Sequence, residues 1–250
     1  MRYFVNFIYN GTSFHGSQTQ PNGITVQQVM EETFSTILRQ PIALTLAGRT
    51  DAGVHALSMV AHWDMNEPLS IELTSLVTRL NSLLPDTIAI RAIYPVSDDA
   101  HARFTAVSRT YEYRVVEYKS PFDLNQSTYV APGLDYTLMN EAATHLLGRH
   151  DFAAFCKVHT DVKTTFCNVT QAEWTVLGDG HAVFTITADR FLRNMVRAVV
   201  GTLFEVGRHK ITIQQWDAII ASLNRCQAGQ SAPPQGLFLT QITYPDTILL

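Results

Sequence analysis

The feature that most constrains the fold is a succession of apolar patterns that occurs twice in this 250-residue chain. In the first half, the periodicities predict a strand at 2–9, a helix from Thr25, strands near 42–47 and 57–64, a helix near 70–81 and a strand near 87–96. In the second half the order recurs with one extra helix. The predicted elements are strand 109–118, helix 137–147, hairpin 169–177 and 181–188, helices 191–206 and 212–224, and strand 237–244.

Each half thus has the β-α-β-β-α-β order of a ferredoxin-like unit. We predict an α+β fold in which two such halves join into one mainly antiparallel sheet, flanked by helices, with a central active-site cleft. The predicted halves are residues 1–100 and residues 101–250. A polar segment at 227–236, with glycine and proline, predicts a mobile loop.

A charged loop at residues 48–56, GRTDAGVHA, lies between two of the predicted strands. Gly48 and Gly53 allow tight or positive-φ backbone and the close approach of a ligand. Ordinary turn chemistry also accounts for an Asp near a glycine, because the Asp side chain accepts hydrogen bonds from its own backbone. The alternative is a catalytic carboxylate, Asp51, kept ionised and oriented by Arg49.

Several other site types are excluded by the motifs that the chain lacks. It has no Gly-rich phosphate loop, Ser-centred elbow or His-Glu metal helix, and the charged loop offers one carboxylate where a glycosidase needs two. A zinc site from Cys156, Cys167, His150 and His159 would lack close ligand pairs, so we predict no metal. The wider arrangement of residues suits an enzyme that extracts a base from RNA, where stacking and a space-filling side chain offset the unstacking cost.

The basic residues are mostly arginine, with 14 Arg and 4 Lys in a chain of formal net charge −4. That net charge argues against a basic coat for non-specific nucleic-acid binding, but local clusters remain. Arg190, Arg193 and Arg197 fall within about 60° on the predicted helix, with no acid among them. They form either a solvated helix face or a grip for an anion.

The cellular setting is also predicted from composition. Three unpatterned cysteines indicate reduced thiols. No apolar run reaches the roughly 18 residues that a bilayer span needs, and residues 1–9 form a predicted strand rather than a cleavable leader. We therefore expect a cytoplasmic protein that makes no membrane contact.

Ordered blocks along essentially the whole chain resemble the tRNA pseudouridine synthase A family. They are residues 9–16 with Gln18 and Gln20, 48–56, 101–104, 109–113, 191–201 and 236–239. The resemblance implies a cofactor-free isomerisation of uridine to pseudouridine in tRNA, in the anticodon stem-loop at about positions 38 to 40. It also implies a homodimer across which tRNA binds.

The resemblance assigns roles to individual residues. It makes Asp51 the essential nucleophile or base and Arg49 its partner, which also fills the space of the flipped nucleotide. Tyr111 would stack on the uracil and help remove the C5 proton, and Leu237 would pack against the base. On residue type alone, Tyr111 and Leu237 are core side chains. Phosphate contacts are expected from three arginines, for which pairing with an acid is the alternative: Arg103, Arg193 and Arg197.

The chain departs from the family pattern at three positions. Ser17 stands where an aromatic residue is common, Asn10 where Asp is usual, and Cys167 where some members carry Arg. These changes concern tRNA contacts rather than the assigned catalytic roles. Two other classes of function remain open on the residues: a non-catalytic RNA-binding protein and a uridine-specific hydrolase.

Overall fold

A computed structural model describes residues 1–157 and 163–249, with ten strands and five helices in those ranges. The chain divides into two compact units. We call residues 1–107 with 239–250 the terminal unit, and residues 108–238 the central unit. The division at residues 100 and 101 that the sequence suggests remains a prediction.

Four strands of the terminal unit follow the order β4-β1-β3-β2, and β1 pairs antiparallel with β3 and β4, as β2 does with β3. This is the split β-α-β order expected of a ferredoxin-like unit. Its elements are β1 (Arg2–Tyr9), α1 (Val26–Leu38), β2 (Thr45–Leu46), β3 (His55–Asp64), α2 (Leu73–Leu83) and β4 (Ile88–Val96). The last strand of the chain, β10 (Leu237–Thr243), ends in this unit, where the Val107 N–H donates to the Thr243 carbonyl.

The core of the terminal unit forms where α1 covers the sheet. Trp63 stacks on Tyr3, its partner on β1, with ring centroids 5.3 Å apart, and meets Phe34 of α1 edge-on at 5.1 Å. The helix begins at Thr25, whose side chain accepts the Gln28 N–H. Burying these rings on one face fixes the strand register, because a one-residue slip would turn them to the other face.

The central unit has strands in the order β5-β9-β8-β7, all antiparallel, and the short β6 pairs parallel with β5. Its elements are β5 (Ser108–Val116), β6 (Thr128–Tyr129), α3 (Tyr136–Thr144), β7 (Gly148–Asp151), β8 (Phe166–Gly178), β9 (His181–Ala188), α4 (Met195–Gly207) and α5 (Ile213–Ser222). Trp174 packs against Phe184 of β9 and Phe204 of α4, which joins the sheet to the helices. The predicted α+β class with mainly antiparallel pairing is confirmed.

Two predicted elements differ from the structure. The strand expected at 42–47 is reduced to two residues, because the N–H groups of Ile42 and Leu44 donate to side chains of α1 instead of to a strand. The helix expected at 191–206 begins only at Met195, since Asn194 before it has φ of 65°. Arg190 and Arg193 therefore precede the helix, and the predicted three-arginine helix face is wrong.

Two predictions concern features outside the fold itself. His159, one residue of the zinc alternative, lies outside the described residues. Within residues 1–157 and 163–249, no helix combines the length and apolar character needed to cross a bilayer.

Candidate active site

The candidate carboxylate, Asp51, opens a tight turn between β2 and β3. The Val54 N–H donates to the Asp51 carbonyl at 3.2 Å, and Gly53 takes the left-handed φ of 78°. Only a residue without a Cβ adopts that φ at no steric cost, so the positive-φ backbone predicted at Gly53 is confirmed. We call Asp51–Val54 the Asp51 turn. The Asp51 side chain is half-buried, and the next residue, Ala52, is exposed.

Ser17 fixes the backbone of Thr50, the residue just before the Asp51 turn. Ser17 is fully buried, and its Oγ accepts the Thr50 N–H at 2.8 Å. The Ser17 N–H in turn donates to the Thr50 carbonyl at 3.2 Å, and the Thr50 hydroxyl shares a 2.8 Å hydrogen bond with the Tyr9 hydroxyl. The backbone beside Asp51 therefore has three fixed points within the terminal unit.

The far end of the Asp51 turn is held by His55 and Gly11. His55 is buried, and its Nδ1 accepts the Gly11 N–H at 3.0 Å, which puts the proton of a neutral imidazole on Nε2. A Cβ on Gly11 would lie 2.0 Å from the Val54 carbonyl oxygen, so no larger residue fits there. His55 thus has a structural position under the turn.

Arg49 and Arg103 line the same pocket of about 300 Å³ in the terminal unit. Both side chains are exposed. The Arg103 guanidinium lies 5.5 Å from the ring centroid of Phe104, a third residue of the pocket. The structure therefore places Arg49, the predicted partner of Asp51, in one pocket with Arg103, a predicted phosphate contact.

Two histidines lie at or next to this pocket: His101 lines it, and the His62 ring contacts the His101 ring. His62 is buried and its Nδ1 accepts the Ala102 N–H at 3.2 Å; burial first, and then Arg2, lowers the pKa of His62 to about 4. The pKa of His101 is also lowered, again chiefly by burial, with Arg2 and Arg103 adding to the effect. Both rings are consequently neutral near pH 7, so they act here as hydrogen-bond acceptors.

The central unit carries the two other residues to which the resemblance assigns a role at the base. Tyr111 lies on β5, half-buried, and meets the Phe191 ring edge-on at 5.1 Å. Leu237 is the first residue of β10 and is 6% exposed. The edge-on contact with Phe191 fixes the plane of the Tyr111 ring. Phe191 also belongs to one of the segments that resemble the family, residues 191–201.

The two remaining predicted phosphate contacts differ in their surroundings. Arg193 is exposed, just before α4. Arg197 lies on the first turns of α4, half-buried, and its Nε donates to the Ala232 carbonyl at 2.7 Å while its own carbonyl accepts the Ala232 N–H. Arg197 therefore anchors the segment 227–236.

That segment is the predicted mobile loop, and the structure ties it to α4 at further points. The Gly229 N–H donates to the Thr202 hydroxyl, and the Asn194 amide donates to the Ser231 hydroxyl. The sequence pattern missed this anchoring because the partners lie on α4 and at the residue before it, far away along the chain. These hydrogen bonds argue against the mobility predicted for residues 227–236.

The three departures from the family pattern have different environments. Asn10 caps the short turn that follows β1 by accepting the Thr12 N–H, so it supports local backbone. Cys167 is buried, and burial raises the pKa of its thiol to about 12. Ser17 is the informative case, because the sequence associated it only with tRNA contacts, whereas it holds the backbone beside Asp51.

The described part of the chain contains no group of three or more His, Cys, Asp or Glu residues placed to hold a metal ion. The chemistry considered for the Asp51 turn is that of a single carboxylate, with Arg49 two residues before it in the chain. Such a set can attack or deprotonate a bound anionic substrate without a second carboxylate.

A family model described as tRNA pseudouridine synthase matches residues 7–105 and 142–245. This chain belongs to the tRNA pseudouridine synthase family. The match includes Asp51, Arg49, Arg103 and Leu237 and leaves Tyr111 in its gap. The family predicted from the sequence blocks, and with it an isomerase, is confirmed.

Relatives named tRNA pseudouridine synthase A agree with this membership. One from Parabacteroides distasonis is 52% identical over 99% of this chain and 97% of its own length, and one from Porphyromonas gingivalis is 51% identical over 100% and 99%. A third, from Bacteroides thetaiotaomicron, is 49% identical over 99% of this chain and 92% of its own. The chain therefore aligns with these relatives over nearly its whole length and over at least 92% of theirs.

Proposed function

We propose that the chain isomerises uridine to pseudouridine in tRNA without a cofactor, and that Asp51 is the essential nucleophile or base. The observation that carries this proposal is the Asp51 turn. A half-buried carboxylate lies on backbone fixed by Ser17, Tyr9 and His55, and Arg49, two residues before it, lines a pocket with Arg103. A catalytic group needs such fixed placement, because a displacement of about 1 Å can lower a rate by about 10²-fold.

The reaction breaks the bond between N1 of the uracil and C1′ of the ribose, rotates the base, and joins C5 to C1′. The C5 proton leaves and N1 gains a proton, so no oxidant or second substrate is needed. Asp51 acts in one of three ways: by attack on the base, by attack on the ribose, or by taking the 2′ proton. All three require an ionised carboxylate at the start.

The neighbouring residues have supporting roles in this proposal. Arg49 pairs with Asp51 and fills the space that the flipped uridine leaves, which offsets part of the unstacking cost. Tyr111 stacks on the uracil and assists removal of the C5 proton, and Leu237 packs against the base. Arg103, Arg193 and Arg197 contact phosphates; of these, Arg193 and Arg103 are the more exposed.

The proposed substrate is the tRNA anticodon stem-loop, at about positions 38 to 40. Uridines in several sequence contexts share no base-edge pattern, so selection would depend on RNA shape. A homodimer would widen the binding surface of a chain whose formal net charge is −4. We place the protein in the cytoplasm, where tRNA is its partner, and we propose that it contacts no membrane.

Tritium release tests the proposal. Unmodified tRNA labelled at uridine C5 is incubated with the wild-type protein, with Asp51→Asn, and with Asp86→Asn as a control at an exposed carboxylate of the same unit. We expect wild type and Asp86→Asn to release tritium while the base stays in the polymer, and Asp51→Asn to release none. The amide keeps the size of the side chain but cannot serve as nucleophile or base.

The other outcomes distinguish the alternative functions. Tritium release by Asp51→Asn would contradict the role of Asp51. Free uracil in the wild-type reaction would indicate a hydrolase, and tRNA binding without tritium release or base loss would indicate a non-catalytic RNA-binding protein.

A further inference from the structure

Phe104 is a large aromatic side chain that the fold leaves 75% exposed. It follows Arg103 in the segment between β4 and β5 and lines the pocket that contains Arg49. Exposing a phenyl ring forgoes most of the free energy that its burial would provide. A ring kept in such a position by fixed backbone is a candidate contact for a ligand.

The backbone that presents Phe104 is fixed by its own hydrogen bonds. The Thr105 N–H donates to the His101 carbonyl at 3.0 Å, and the His101 N–H donates to the Thr105 hydroxyl at 2.9 Å. The His101 ring also lies 4.4 Å from the Phe104 ring, centroid to centroid, and its Nδ1 accepts the Arg103 N–H at 3.1 Å. The His101 ring therefore packs against the Phe104 ring, while most of the Phe104 side chain remains exposed to solvent.

The charge around Phe104 favours a polyanion. Of the residues that line its pocket, all of them in the described part of the chain, two are arginines and none is acidic. The Arg103 guanidinium lies 5.5 Å from the ring, so a planar group stacked on Phe104 would have a cation within reach of its phosphate. A phenyl ring with a cation beside it is the arrangement with which proteins bind an unpaired nucleotide.

We propose that Phe104 is a stacking platform for a nucleobase adjacent in the RNA to the uridine at Asp51, with Arg103 on the phosphate of that nucleotide. This inference rests on the proposed function and adds a second base-binding subsite to it. The subsite holds the strand beside the extracted uridine. Stacking provides binding free energy that offsets the cost of unstacking the RNA.

A contrasting residue in the central unit supplies a matched control. Phe122 is 95% exposed, so it is at least as accessible as Phe104. Its next neighbour is the acid Asp123, which lies 3.3 Å from His181. Loss of the Phe122 ring therefore removes an exposed aromatic of the same type from a position that lacks the cationic pocket.

The test uses anticodon stem-loop RNA with 2-aminopurine at the nucleotide on one side of the target uridine, and then on the other. Binding is followed by 2-aminopurine fluorescence, which stacking quenches, for wild type, Phe104→Leu, Phe104→Trp and Phe122→Leu. We expect Phe104→Leu to raise Kd by roughly 5- to 150-fold, the range expected for one aromatic–base stack, and to abolish the quench at one of the two positions. Phe104→Trp keeps both signals, and Phe122→Leu behaves as wild type.

Salt titration separates stacking from charge. Phe104→Leu should keep the wild-type slope of log Kd against log salt concentration, whereas Arg103→Gln should lower it by about one phosphate contact. The inference is overturned if Phe104→Leu binds within twofold of wild type, or if Phe122→Leu weakens binding equally. It is also overturned if neither 2-aminopurine position responds to Phe104. Failure of the proposed function shows instead as absent tritium release by the wild type.

Discussion

Replacing Ser17 by alanine removes one hydroxyl from beneath the Asp51 turn. Ser17 is fully buried, and its Oγ accepts the Thr50 N–H at 2.8 Å. In Ser17→Ala this N–H loses its acceptor in a place that is buried from water, which costs about 1–3 kcal/mol. The bond from the Ser17 N–H to the Thr50 carbonyl does not involve the hydroxyl, so the loop stays attached but loses one fixed point.

The measurement has two parts. Urea denaturation should show the free energy of unfolding of Ser17→Ala lowered by about 1–3 kcal/mol. The kcat of tritium release should fall by about 10- to 100-fold, because a displacement of about 1 Å at Asp51 is enough to lower a rate by that order.

Ser13→Ala is the matched control for this change. Ser13 is exposed in the same loop, so its free energy of unfolding should stay within about 0.5 kcal/mol of wild type and its kcat should not change. An unchanged free energy of unfolding in Ser17→Ala would refute the argument about the Thr50 N–H. A lowered free energy with wild-type kcat would refute the link from Ser17 to the placement of Asp51.

Two further predictions use the same protein. Arg193→Gln should weaken tRNA binding, and the slope of log Kd against log salt concentration should fall by about one phosphate contact, with stability unchanged. Arg197→Gln should also lower the midpoint of thermal unfolding, because Arg197 donates to the Ala232 carbonyl. Equal unfolding midpoints for the two variants would contradict this. The fold lowers the pKa of His62 to about 4, so burial of the neutral ring stabilises the protein fully above the ordinary pKa near 6.5, and this stabilisation is lost as the pH falls toward 4. In urea titrations at several pH values, His62→Gln should flatten this decline in the free energy of unfolding. An identical pH profile would contradict the prediction.

Local sequence determined the elements whose signals lie within a few residues. The strand at 2–9, the helix that begins at Thr25 and the turn before His181 agree with the structure. Each depends on alternation, on a capping side chain or on glycine next to the turn, and these act over one turn of helix or one hairpin. The family blocks identified the chain for a similar reason, since each is a contiguous run of residues.

The sequence could not show the elements that depend on distant partners. The strand predicted at 42–47 is reduced to two residues because side chains of α1 accept the N–H groups of Ile42 and Leu44. The three-arginine helix face failed because Asn194 adopts a left-handed φ, a conformation that periodicity does not reveal. The anchoring of 227–236 likewise depends on α4.

The sequence by itself therefore determined the family of the chain, and it pointed to Asp51 and Arg49 as the candidates for its chemistry. Only the tertiary structure decided what holds them and what surrounds them. Ser17 became a support for the Asp51 turn, and Phe104 became an exposed ring beside Arg103. Burial and hydrogen bonding arise between residues far apart along the chain, so spacing and composition cannot state which polar group lies beneath a loop and which aromatic ring is left in solvent.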